Sequence, residues 1–465
     1  MATRRAKPCS DMFASSSSPG PEAPPPGIPR AEALRFWLRL GFVSFGGPAG
    51  QIALMHEELV ERRRWISERR FLHALNFCMV LPGPEAQQLA TYIGWLMHRS
   101  WGGIVAGGLF VLPSLFILVG LSWVYLAFGQ LPAIAGLFYG IKPAVTALVV
   151  HAAWRIGTRT LSNTWLAAIA VLAFGALALR ALPFPLIVLA AGLAGHLGGR
   201  YAPERFRTGG GPAPVRPGAG PACIDDDTPA PPHARFRWPR FAAVLLAGLG
   251  LWALALGGLA AAFGWQGTLT QMGWFFTKAA LLTFGGAYAV LPYVVQGAVE
   301  QQHWLTAAQM IDGLALGETT PGPLIMVVAF VGFVGGWTRA LFGDQALFLA
   351  GAVAAGVVTF FTFLPSFLFI LLGGPFIEST HGQLRFSAPL TAITAAVVGV
   401  IANLALFFAG HVLWPQGAAG PVDAVAALIG LGAAVALFRY RWGVVPVVLG
   451  AGLAGLAWQL GRAAL

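Results

Sequence analysis

The chain has 465 residues, of which 57% are hydrophobic and 10% charged, with a formal net charge of +11. A soluble domain is about 45–50% apolar and about 25% charged, so this composition excludes a soluble enzyme, a nucleic-acid binder and a secreted disulfide scaffold together. The surplus of Arg fits cytoplasmic loops under the positive-inside rule, and Cys9, Cys78 and Cys223 are too few and too scattered for a disulfide or zinc framework.

In chain order, residues 1–30 carry Arg4, Arg5 and Lys7 and then a Ser- and Pro-rich stretch. That composition cannot bury a core, predicts a disordered tail and lacks the apolar run of a signal peptide. Hydrophobic segments follow near 33–55, 71–97, 101–127, 132–157, 164–180 and 182–199. About 20 apolar residues suffice for a membrane helix. An Arg-, Gly- and Pro-rich stretch at 201–240 reads as a polar linker, and an apolar segment fills 241–265. Further segments lie near 268–294, 306–337, 345–372, 385–413, 421–438 and 443–461. The fold class expected is an all-α polytopic membrane protein of about 13 segments: a repeat at 31–200, the linker, an extra helix, and a second repeat at 266–465. No strand-like alternation supports a β-barrel.

The repeat is legible in the residues. Phe45-Gly46-Gly47 recurs as Phe284-Gly285-Gly286, Trp65 as Trp304 and Pro82-Gly83-Pro84 as Pro321-Gly322-Pro323, all at an offset of 239 without a gap. Leu112-Pro113-Ser114 resembles Leu364-Pro365-Ser366 with a small shift. An odd helix between two six-segment repeats turns the second upside down, the inverted-repeat plan of many secondary transporters. The loop with Arg62, Arg63, Arg64, Arg69 and Arg70 has a counterpart around Glu300–Leu305 without Lys or Arg, as loops on opposite membrane faces should look. Thirteen full spans would put that Arg-rich loop outside. Re-entrant hairpins folded at Phe-Gly-Gly and Pro-Gly-Pro return it to the cytoplasm together with the amino terminus and the linker, leaving the carboxy terminus in the periplasm.

Two prolines around a glycine remove amide donors and break a helix, which exposes a helix amino terminus that suits an anion. The plain alternative is a kink for packing, and for paired glycines close helix contact. Lys142 and Lys278, two of only three lysines, lie inside apolar segments, and Lys278 aligns with Arg39. Intramembrane ions are costly and mark function, unless long side chains snorkel to the interface. Glu85, Asp312 and Glu318 are the acids near the breaks; in a low dielectric such a carboxyl can carry a coupling proton, or it caps free N–H groups. No Walker loop, zinc motif or nucleophile elbow is present, so neither catalysis, cofactor, metal nor nucleic acid is expected.

The runs Phe45-Gly46-Gly47-Pro48-Ala49-Gly50-Gln51-Ile52 and Leu81-Pro82-Gly83-Pro84-Glu85-Ala86-Gln87-Gln88 resemble the amino-terminal half of the chromate ion transporter (CHR) family. Phe284-Gly285-Gly286-Ala287-Tyr288, Asp312-Gly313-Leu314-Ala315-Leu316 and Glu318-Thr319-Thr320-Pro321-Gly322-Pro323 resemble its carboxy-terminal half, without departure within the motifs. The resemblance implies two halves of opposite orientation and export of chromate across the bacterial inner membrane, giving chromate resistance. It puts the substrate site around Phe45–Pro48, Pro82–Gln87, Phe284–Gly286 and Glu318–Pro323. Arg39, Lys142 and Lys278 are candidate counter-charges for the dianion. Sulfate or another oxyanion is the rival cargo, a membrane enzyme acting on phosphorylated lipid is a more distant reading, and a homo-oligomer stays open.

Overall fold

A computed structural model describes residues 28–45, 47–206, 222–226, 228, 231–379, 387–417 and 419–464. Of the expected tail at 1–30, residues 1–27 lie outside the described residues, as does Gly46, while Arg30 already opens the first helix. Before the linker come α1 (Arg30–Val43), α2 (Gly47–His56), α3 (Glu68–Val80), α4 (Glu85–Phe128), α5 (Pro132–Thr160), α6 (Thr164–Ala178) and α7 (Phe184–Tyr201). After it come α8 (Trp238–Phe263), α9 (Thr268–Leu281), α10 (Ala287–Val294), α11 (Ala307–Thr319), α12 (Val327–Thr338), α13 (Leu347–Ser379), α14 (Ser387–Leu413), α15 (Ala424–Phe438) and α16 (Val444–Ala464). α4 is two helices joined at a break, where His98 has φ −132° and Arg99 φ 62°. Among the described residues the only β contact is an isolated parallel bridge between Ile66 and Ile224.

Among the described residues six helices are long and apolar enough to cross a membrane: Glu85–Phe128, Pro132–Thr160, Trp238–Phe263, Asp344–Glu378, Ala388–Leu413 and Val444–Arg462. The protein is a multi-pass membrane protein. α8, the extra helix, has only 11% of its apolar window buried and turns the rest outward, as a helix against lipid would.

The 239-residue offset holds in the backbone. A π-helical turn at Glu57–Arg62 is matched by one at Val295–Gln301. Positive φ recurs in register at Gly47 and Gly286 (71° and 95°), Arg64 and His303 (53° and 52°), and Gly83 and Gly322 (131° and 102°). The segments at 33–55 and 71–97 are not single rods. α1 has 14 residues and α3 has 13, about 20 Å at 1.5 Å per residue, against a hydrocarbon core of about 30 Å. Both pack against α4. Arg63, beyond α2, reaches Glu32 at the start of α1 with Nη1 3.2 Å from Oε1, and its guanidinium lies over Phe36 and Trp65. His98, ending the first part of α4, meets the Ile28 carbonyl at 2.8 Å. In the second repeat Trp304 packs on Phe275 and Phe276, and Arg339, beyond α12, donates to the Gln302 carbonyl before α11 at 2.9 Å.

The two halves interlock instead of standing side by side. α5 of the first packs on α14, α15 and α16 of the second, and α4 packs on α13. Gly140 and Gly455 let α5 and α16 come within backbone distance, the small-residue contact that lipid-embedded helices favour. The described part of the linker is docked. Cys223 N–H donates to the Arg64 carbonyl at 2.9 Å, Ile224 N–H to Trp65 at 3.0 Å, and Ser67 N–H to Ile224 at 3.0 Å. His233 meets the Trp95 carbonyl at 2.9 Å, and burial, first among the causes, lowers its imidazole pKa. Arg70 and Tyr92 meet Glu378 at the end of α13, Tyr92 by a 2.5 Å hydrogen bond. The Arg-rich loop, the linker and the 378 end of α13 thus form one end of the bundle.

Candidate functional site

The site is built from four helix breaks. At the first, Ser44 turns its hydroxyl back to donate to the Leu40 carbonyl (2.6 Å); at its mate, Thr283 donates to the Ala279 carbonyl (2.7 Å). These hydroxyls satisfy carbonyls that the interrupted helices leave open, and Gly47, Gly285 and Gly286 turn the chain through positive φ. The two Pro-Gly-Pro breaks then cross over. The Gly83 N–H donates to the Thr283 carbonyl at 2.7 Å, and the Gly322 N–H donates to the Ser44 carbonyl at 2.9 Å. Each repeat's proline break is therefore tied to the other repeat's glycine break, reciprocally, and Gln51 Nε2 adds bonds to the Ser44 and Gly322 carbonyls.

Helix amino termini leave N–H groups without intrahelical partners. Past Pro84, α4 begins at Glu85, an acid in the first turn as the helix dipole favours; past Pro323, a 3-10 turn at Leu324–Met326 leads into α12. Gln88 Nε2 donates to the Pro82 carbonyl at 2.8 Å and Gln87 Nε2 to the Thr91 hydroxyl at 2.9 Å. The amide oxygens of Gln51, Gln87 and Gln88 and the hydroxyls of Ser114 and Ser366 are buried without a partner.

The structure gives each charged residue its neighbours. Lys142 and Asp312, read as a counter-charge and a proton carrier, form one ion pair across the halves: Nζ lies 3.4 Å from Oδ2, and the Asp312 side chain is 2% exposed. Tyr125 donates to the same oxygen at 2.8 Å. Glu318, at the end of α11, accepts from the Tyr288 hydroxyl. Neither Asp312 nor Glu318 caps a helix amino terminus, whereas Glu85 sits at one. Thr319 and Thr320 return their hydroxyls to carbonyls of their own helix, the first to Ala315 at 3.0 Å and the second to Gly317 at 3.2 Å. Lys278 is half-buried with Nζ 5.5 Å over the Trp274 ring. Arg39 and Phe45 are exposed, while Gly47, Pro48, Pro82, Phe284, Gly285 and Gly286 are half-buried and Pro84, Pro321 and Pro323 buried. The structure thus gathers the Pro-Gly-Pro and Phe-Gly-Gly breaks and leaves Arg39 on the surface. An apolar groove of about 300 Å³ between α5, α14 and α15, lined by Pro143, Val412 and Gly430 among others, offers an anion no charge. Among the described residues no group of His, Cys, Asp and Glu has the arrangement to hold a metal ion.

Residues 31–196 and 270–456 match the family described as Chromate transporter. The chain is 33% identical over 442 residues to a chromate transport protein of Pseudomonas aeruginosa, covering 93% of this chain and 94% of that protein. It is 29% identical over 430 residues to a chromate transport protein of Cupriavidus metallidurans (91% and 92% covered) and 27% identical over 378 residues to a probable chromate transport protein of Synechococcus elongatus (81% and 84%). No solved structure matches.

Proposed function

The chain belongs to the chromate transporter family, and from that membership we propose that it exports chromate across the bacterial inner membrane and so confers chromate resistance. The observation that carries the reading is the reciprocal pair of hydrogen bonds between breaks of the two halves, Gly83 to Thr283 and Gly322 to Ser44. Such a pairing supports a site at the repeat interface, made from interrupted helices whose amino termini favour a tetrahedral dianion. The proposed site comprises Phe45–Pro48, Pro82–Pro84, Phe284–Gly286 and Thr319–Pro323, with Lys142, Lys278 and Arg39 as counter-charges and Glu85, Asp312 and Glu318 as proton carriers. Export of an anion from a negative interior is favoured by about 2.3 kcal/mol per charge per 100 mV, and a proton gradient is a second source of drive. In proteoliposomes holding the purified protein, chromate flux is expected to rise with imposed voltage, and excess sulfate is expected to compete for it. No flux under any gradient would remove the reading.

The inverted orientation belongs to the same proposal. Contacts between the Arg-rich loop, the linker and the end of α13 support a cytoplasmic end that holds the amino terminus and residues 201–240, with the carboxy terminus in the periplasm. A cysteine substituted at Arg64 in a Cys-free background is expected to stay unlabelled by an impermeant thiol reagent added outside intact cells, and to label in everted vesicles. Labelling from outside would require full spans.

A further inference from the structure

Two serines that neither the motifs nor the charges single out face the breaks. Ser114 lies in α4 and Ser366 in α13, in the recurring Leu-Pro-Ser triplets. Each addresses the proline break of the opposite repeat. A Cβ added at Gly322 would meet Ser114, its Oγ at 3.1 Å, and one added at Gly83 would meet the Ser366 Oγ. Ser114 is 0% and Ser366 1% exposed, and neither hydroxyl has a hydrogen-bond partner. This is unusual, because most buried polar side chains are paired and a serine in a helix can ordinarily donate to the carbonyl four residues back. Ser122, eight residues further along α4, does so to Leu118 at 2.6 Å, as do Ser44 and Thr283 to carbonyls four residues back. A hydroxyl orphaned in the interior forfeits its bonds to water and destabilises the fold. Two of them at equivalent positions of a duplicated fold, each beside a break from which a helix starts, are better explained by a ligand than by packing.

We propose that Ser114 and Ser366 are a pair of substrate-binding hydroxyls, each donating to an oxygen of a tetrahedral oxyanion held at the proline break of the opposite repeat. The inference rests on the transport reading above and deepens it by adding donors that no motif contributes. Hydroxyls bond any XO4 dianion alike, so the pair sets affinity for the class and leaves the choice among its members to other groups.

The test is Ser114→Ala, Ser366→Ala and the double variant, each assayed for KM in proteoliposomes with chromate and with sulfate, and for thermal stability in detergent. Loss of a hydrogen bond to a charged group is expected to raise KM about tenfold in each single variant and more in the double. Stability should stay level or rise, since alanine removes an unsatisfied buried group. A hydroxyl that merely supports the fold would give the reverse, a lower melting temperature with an unchanged KM, and that result overturns the assignment. KM values within twofold of the parent for both single variants overturn it too, leaving chromate transport standing. Should the parent move sulfate but not chromate, with the variants weakened for sulfate, the serine assignment holds and the chromate reading falls. A parent that moves neither anion overturns both.

Discussion

Replacing Gly83 by leucine is expected to abolish chromate flux, and Gly322→Leu should do the same. Gly83 holds φ +131° and Gly322 +102°, values that cost an L side chain about 1–3 kcal/mol. Neither has room. The new Cβ at Gly83 collides with the Ser366 hydroxyl and the Gln88 amide, and that at Gly322 with Ser114; overpacking of this kind costs about 1–3 kcal/mol more. The strain falls on the two N–H groups that tie the halves together. Gly343→Ala, outside the proposed site, is the control: its φ is +84°, yet an added Cβ meets nothing within 4 Å, so that variant is expected to fold and to keep its flux. Flux in proteoliposomes, with monodispersity on gel filtration, separates the cases. A folded Gly83→Leu protein that transports at the parent rate would falsify a role for the break.

The second large effect is expected at Lys142. Lys142→Ala leaves the Asp312 carboxyl deeply buried, with Tyr125 as its remaining donor. Removing one partner of a buried pair costs about 3–5 kcal/mol, enough to lower the folded yield sharply as well as flux. Pairing it with Asp312→Asn removes the stranded charge, keeps an acceptor for Tyr125 and should restore the melting temperature most of the way. Flux should stay low in that double variant if the pair belongs to the transport path. Full recovery of both would reduce the pair to a structural clamp between α5 and α11.

Much of this was legible from residues alone, because the duplication left identities in register: Phe45-Gly46-Gly47, Trp65 and Pro82-Gly83-Pro84 located all four breaks. The apolar segment read at 241–265 is largely α8 (Trp238–Phe263). What could not be read is what depends on how the halves cross. Nothing in the sequence links Gly83 to Thr283, or Lys142 to Asp312, since those contacts are set by packing between segments roughly 200 residues apart. Arg39 and Lys278 share a register, yet one is exposed and the other lies over Trp274; periodicity fixes a position along a helix and not which neighbour covers it. Ser114 and Ser366 were visible as a repeat, but a serine in an apolar helix is usually satisfied by its own backbone, so only the absence of that bond distinguishes them.

The two π-helical turns bear on descent. A π turn closes its hydrogen bond over one residue more than an α turn does, so it marks a single inserted residue. The turns at Glu57–Arg62 and Val295–Gln301 occupy the same place in each half, and each is followed by a residue of positive φ, Arg64 and His303. Two independent insertions would have had to choose the same helix, the same turn and the same exit. A single event in a half-length ancestor, copied when the gene doubled, accounts for both, which makes the π turn older than the two-repeat chain.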